Sequence, residues 1–68
     1  MLTEQMLRIS ELLQTGQFAA AHAQLESIVA ANPDYVEGLR LLAGTKQVLG
    51  EVVEAESLLR RALQVDPA

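Results

Sequence analysis

Ala31-Asn32-Pro33-Asp34-Tyr35 decides how this chain is read, because its pattern returns at the other end as Val65-Asp66-Pro67-Ala68. Pro33 and Pro67 stand 34 positions apart, and so do Gly16 and Gly50, Ala21 and Ala55, Leu25 and Leu59, and Leu7 and Leu41. Asn32 and Asp66 match in kind, each immediately before a proline. Phe18 with Val52, and Val29 with Leu63, match as apolar pairs. A fixed period of this size marks stacked repeats, each too small to bury its own apolar face.

Working outward from that turn, proline keeps the residue before it out of the helical conformation, so Asn32-Pro33 ends a helix. The spacing predicts that helix over Gln17–Ala31, with Phe18, Ala21, Leu25, Ile28 and Val29 as its main stripe. Ala19, Ala20, Ala23 and Ala30 add helix propensity and thin side chains, which let neighbouring axes approach. After the turn, Asp34 is the expected N-cap, with Glu37 completing a capping-box variant. Leu39, Leu42, Ala43, Val48 and Leu49 then carry the apolar load to Gly50. Gly38 and Gly44 lie inside this helix at about 0.5–1 kcal/mol each relative to alanine. Either something packs closely there or the weakness is tolerated.

The first helix is expected from Leu2 to Thr15, with Leu2, Met6, Leu7, Ile9, Leu12 and Leu13 at helical spacing. Thr3 is its expected cap, Glu4 suits the positive end of its dipole, and Gly16 stops it. The fourth helix, Glu51 to Val65, carries Val52, Ala55, Leu58, Leu59, Ala62, Leu63 and Val65. Glu51, Glu54 and Glu56 load its early turns, and Arg60 and Arg61 lie late, an order that favours the helix dipole. Glu56 and Arg60 form an i, i+4 pair worth a few tenths of a kcal/mol. Tight connections make consecutive helices antiparallel neighbours. The fold class is therefore all-α: one domain, 1–68, made of two helix–turn–helix units, 2–35 and 36–68.

Composition bounds the function. A chain of 68 residues with no cysteine has no disulfide or thiolate metal site to reinforce a small core. Close helix packing or self-association must supply the stability instead. The net charge is −4, and the five basic residues are scattered apart from Arg60-Arg61. No basic stripe stands ready to neutralise phosphates, which argues against nucleic acid and anionic membranes. No apolar run approaches the roughly 20 residues that span a bilayer. Glu4, Arg8 and Glu11 interrupt any secretory signal pattern. A cytoplasmic domain is the resulting expectation.

Catalytic readings find little support. His22 is the only histidine, off the apolar stripe of its helix, and it reads as a solvent-exposed residue. Glu26 lies one turn on, but no second histidine or cysteine completes a zinc site. Glu51, Glu54 and Glu56 read as helix N-terminal charges rather than acid–base groups. Gly16 and Gly50 are isolated turn glycines, not a phosphate loop. The expectation is no enzyme, no cofactor and no metal.

The second unit, Leu39, Leu42-Ala43, Gly50, Val52, Ala55, Leu59, Ala62 and Pro67, resembles the tetratricopeptide repeat, a helix–turn–helix unit of this length. Only Lys46 departs, standing where an aromatic residue is usual. The first unit keeps Gly16, Phe18, Ala21, Leu25 and Pro33, but its first helix is degenerate: Gln5 and Arg8 replace apolar residues, Ile9 replaces a small one, and only Leu12 fits; in its second helix Ile28 replaces a later alanine. Polar residues there suit the first helix of a stack, which has no preceding repeat to cover it.

The resemblance implies two stacked hairpins of a right-handed α-solenoid and a non-catalytic scaffold for protein–protein interaction. It implies a groove lined by the first helix of each unit. Carried over by position, its residues are Thr3, Met6, Ser10, Leu13 and Gln14 from the first unit, and Glu37, Arg40, Leu41, Gly44 and Gln47 from the second. Some members grip a C-terminal carboxylate with paired basic and Asn residues. Met6, Ser10 and Leu41 stand there instead, so a helix or apolar segment is the better ligand.

A second candidate surface is the outer face of the fourth helix, Leu58, Leu59, Leu63 and Val65. Apolar residues left uncovered at a repeat end mark an interface. It implies stacking on further repeats or a two-fold homodimer. The alternatives to a groove-binding scaffold are a self-associating structural domain and a repeat segment of a longer enzyme such as a transferase.

Overall fold

Each helix stops at a glycine turn or just before a proline. A computed structural model of the protein describes residues 2–67; Met1 and Ala68, the ends of the expected 1–68 domain, lie outside the described residues. The helices are α1 (Leu2–Gln14), α2 (Phe18–Ala31), α3 (Val36–Val48) and α4 (Val52–Val65). They form two stacked helix–turn–helix hairpins, with no strand among the described residues.

Gly16 and Gly50 both take left-handed φ, +77° and +87°. A side chain would strain that conformation, and glycine accepts it. Each glycine closes the same two-bond cap. Gly16 N donates to Leu13 O at 3.2 Å and Gln17 N to Leu12 O at 2.8 Å. One period later, Gly50 N donates to Gln47 O at 3.1 Å and Glu51 N to Lys46 O at 2.8 Å. This is the Schellman arrangement, which satisfies carbonyls that the helix leaves open. At the end of α2, Asn32 sends both its backbone N (2.8 Å) and its Nδ2 (3.0 Å) to Ile28 O.

Two capping expectations need correction. Asp34 is not the N-cap of α3; that position is Tyr35, which makes no side-chain cap bond. Tyr35 N bonds to Asn32 O at 3.1 Å, so Pro33-Asp34 form the middle of a β-turn and the helix starts one residue later. Glu37 therefore closes no capping box and instead accepts a hydrogen bond from the Tyr35 hydroxyl at 3.3 Å. Thr3 lies within α1 rather than before it.

The core comes from one stripe per helix: Met6 and Ile9; Ala21, Leu25, Ile28 and Val29; Leu39, Leu42 and Ala43; Ala55, Leu58 and Ala62. α3 is the central element, packed on both α2 and α4, while α1 packs on α2. Val48 and Leu49, expected to share the load of α3, are exposed. Of the two helical glycines, only Gly38 marks a close approach. A Cβ there would sit 3.0 Å from Tyr35 Cδ2 and 3.5 Å from Val29 Cγ2, whereas one at Gly44 would meet nothing.

Candidate functional site

α1 and α3 present a shallow groove divided by one side chain. A hollow of about 300 Å³ is lined by Thr3, Met6, Leu7 and Ser10 of α1 with Tyr35, Glu37 and Leu41. A second, of about 200 Å³, is lined by Leu13, Phe18, Arg40, Leu41, Gly44, Thr45 and Val48. Leu41 belongs to both and forms the ridge between them.

The sequence-predicted groove residues separate accordingly. Thr3, Met6, Ser10 and Glu37 meet in the first hollow, and Leu13, Arg40 and Gly44 in the second. Met6 is floor rather than wall: it is 8% exposed and belongs to the core. Gln14 and Gln47 are exposed and line neither hollow. The sequence reading missed Leu7, Tyr35, Phe18 and Val48. The period itself pointed to Leu7, whose counterpart 34 residues on is Leu41.

The two hollows differ in charge. The first holds Glu37, with the Tyr35 hydroxyl 3.3 Å from its carboxylate. Burial, and then the Glu37 charge beside it, push the Tyr35 phenol above its ordinary value. The second hollow holds one cation, Arg40, among Leu13, Phe18, Leu41 and Val48. Thr45 adds no free polar group, since its hydroxyl donates to Leu41 O at 2.8 Å.

On the opposite side of α3 lies a polar centre that the sequence reading did not anticipate. Lys46 is buried, and its Nζ reaches Glu54 Oε2 at 2.9 Å, Glu51 Oε1 at 3.2 Å and His22 Nε2 at 3.1 Å. An ammonium has three donors: the two carboxylates take two, and His22 Nε2 takes the third when the ring's proton sits on Nδ1. Through them α3 is tied to α2, to the Glu51 turn and to α4. The hydrogen bond with Glu54 foremost raises the Lys46 pKa, opposed by burial and reinforced by Glu51. The same bond lowers that of Glu54. His22 is half-buried, not solvent-exposed as expected. Its Nε2 also lies 2.9 Å from Glu26 Oε1. One nitrogen cannot accept from Lys46 and donate to Glu26 at once, so the ring's tautomer chooses between them.

A roomier hollow, about 420 Å³, lies over this centre, with Val29, Leu42 and Leu58 in its walls. At its far end Arg61 Nη2 donates to Pro33 O at 3.3 Å. It is a seam between the hairpins, held at one end by Lys46 and at the other by Arg61. Among the described residues, no group of His, Asp and Glu side chains is arranged to hold a metal ion, and no helix is long and apolar enough to cross a membrane.

The outer face of α4 differs from expectation in membership. Leu58 is buried in the core, because Ala55, Leu58 and Ala62 form the side of α4 that meets α3. Leu59, Leu63 and Val65 are exposed, and Val52 and Val53 join them.

The family model of the tetratricopeptide repeat matches the chain over residues 12–68. No curated protein and no solved structure matches the chain.

Proposed function

This chain belongs to the tetratricopeptide repeat family, and from that premise we propose that it is a non-catalytic scaffold holding a segment of a partner protein in the α1–α3 groove. Repeats of this family generally mediate protein–protein interaction. The observation that carries the finer reading is the pair of hollows either side of Leu41, with Glu37 at one and Arg40 at the other. Their midpoints lie roughly five residues apart along α3, or about 7–8 Å at the rise of an α-helix. That distance is nearest to two apolar side chains two residues apart on an extended peptide, about 6.5–7 Å, and lies between one and two turns of a partner helix. A basic group fits beside Glu37, an acidic group beside Arg40, and the two charges orient the ligand. The proposal places this binding in the cytoplasm, whether the repeats act alone or as part of a longer chain such as a transferase.

Selection of peptides from a random display library on the folded protein tests it. Enriched peptides should carry two large apolar residues at that spacing, and should lose binding to Leu41→Asp and Arg40→Glu while both variants keep the wild-type helical spectrum. Peptides that bind both variants as well as wild type would place the ligand elsewhere.

A second docking face is favoured by one observation. Val52, Leu59 and Leu63 are exposed on α4, while their counterparts one period earlier, Phe18, Leu25 and Val29, lie on α2, which α3 covers. The outer face of α4 has the side chains of an inter-repeat contact without a neighbour among the described residues.

A further inference from the structure

We propose that the occupant of the outer face of α4 is a second copy of this chain, seated on it by a two-fold antiparallel contact between the two α4 helices. This rests on the reading of that face as a docking surface, and it adds which partner covers it and in what orientation.

The inward face of α1 and the outer face of α4 do not match each other as α3 and α2 do. Copies stacked head to tail would repeat the α2–α3 contact, with α1 of one copy placed on α4 of the next. Shifted back one period, the inward residues Leu39, Leu42 and Lys46 of α3 become Gln5, Arg8 and Leu12 of α1. Gln5 and Arg8 would then replace two leucines against a mainly valine–leucine surface, on which Glu56 is the acidic residue. The charge match fails as well. His22 on α2 meets Lys46 at 3.1 Å. One period on, its counterpart is Glu56, which would face Leu12. Head-to-tail growth sets a carboxylate against a leucine and an arginine against a valine–leucine surface.

The outer face of α4, by contrast, complements itself. Val52, Glu56, Leu59 and Leu63 recur at steps of four, three and four, the spacing of a helix–helix seam. All four are exposed. Let two α4 helices run antiparallel about an axis level with Leu58. Residues equally far before and after that point then face one another. Val53 and Val52 then lie level with the partner's Leu63 and Gln64, the two Leu59 side chains meet near the axis, and Glu56 meets the partner's Arg60. Within one chain Glu56 and Arg60 are only loosely paired, at 3.9 Å and largely exposed, so both are available across the axis. The two-fold repeats this ion pair, sets the register and closes the assembly at two copies.

Sedimentation equilibrium from micromolar to millimolar protein, with helical circular dichroism alongside, provides the test. The wild type should pass from one copy to two and no further. Arg60→Glu and Glu56→Arg should each weaken the dimer by roughly tenfold, the summed effect of two symmetric pairs worth a few-fold each. The double exchange E56R/R60E should restore it. Leu63→Glu should leave a fully helical monomer, and Leu63→Gln does the same with a milder change if the glutamate variant loses helicity. A mass that climbs past two copies would show head-to-tail stacking and overturn the proposal. A wild type that stays monomeric would overturn the second copy as occupant, yet leave the α4 face open to another helix. A dimer unmoved by Leu63→Glu and by both charge reversals would overturn the α4 docking surface itself.

Discussion

Leu25 and Leu59 occupy the same place in two successive repeats and live in different surroundings. Leu25 is wholly buried, 0% exposed, and Leu59 is 38% exposed. Val29 and Leu63 repeat the contrast at 6% and 54%. The helices bearing them match in length and are apolar at these positions. What differs is the neighbour: α2 has α3 upon it, and α4 carries nothing on the corresponding face among the described residues. In a repeat protein, side-chain identity follows the repeat, while burial follows the position in the stack.

The largest effect expected from this contrast is on stability. Leu25→Ala should cost about 2–5 kcal/mol, the range for emptying a packed core site. Leu59→Ala, in dilute protein, should cost less than about 1 kcal/mol. Urea unfolding of the two variants checks both values. Equal losses would mean that α4 is covered as α2 is.

The next effect concerns the Lys46 centre, which has no counterpart around Leu12 in the first repeat. Glu54 sits below its ordinary value of 4.5, first because of the hydrogen bond from Lys46. A carboxyl lowered in the folded state adds stability that is complete above its unfolded pKa and is lost as pH falls through the folded one. Lys46, raised above its ordinary 10.5, adds stability that is complete below that value and is lost as pH rises through the folded pKa. Thermal midpoints should therefore fall on acidification below about 4.5, and Glu54→Gln should flatten that fall. An unchanged acid slope in the variant would remove Glu54 from the account.

The smallest effect separates the two glycines of α3. Gly44→Ala should stabilise by about 0.5–1 kcal/mol, since the helix gains propensity and the new methyl meets nothing. Gly38→Ala should forfeit that gain, because its Cβ would lie 3.0 Å from the Tyr35 ring. Thermal unfolding of the two variants side by side shows whether the Tyr35 turn is as tight as described.

Much of this arrangement was legible before any coordinates. The 34-residue recurrence of Gly16 and Gly50 placed both helix stops, and the same cap bonds form at each. Leu25, Leu39 and Ala55 were read as core and are buried. Other features lay beyond a one-dimensional reading. The apolar arc of α4 is wider than one face, so the sequence leaves open whether Leu58 or Leu59 turns inward; the placement of α3 decides for Leu58. Lys46 read as a departure from the repeat pattern because its partners are scattered: His22 lies 24 residues before it, and Glu51 and Glu54 five and eight after. Asp34 has the chemistry of a cap, but Pro33 draws it into the preceding turn. In the groove, Tyr35 and Phe18 come from the turn and from α2, outside the two helices that a positional carry-over considers.

The most direct test is methyl NMR with a soluble paramagnetic probe, read at low and at high protein concentration. The Leu25 and Val29 methyls should be protected at both. Those of Val52, Leu59 and Leu63 should be open in dilute solution and become protected as the dimer forms, while Leu7 and Leu41 in the groove stay open throughout. Protection of Leu59 and Leu63 at the lowest concentration would contradict the contrast between the repeats. Exposure of both at every concentration would preserve that contrast and refute the dimer.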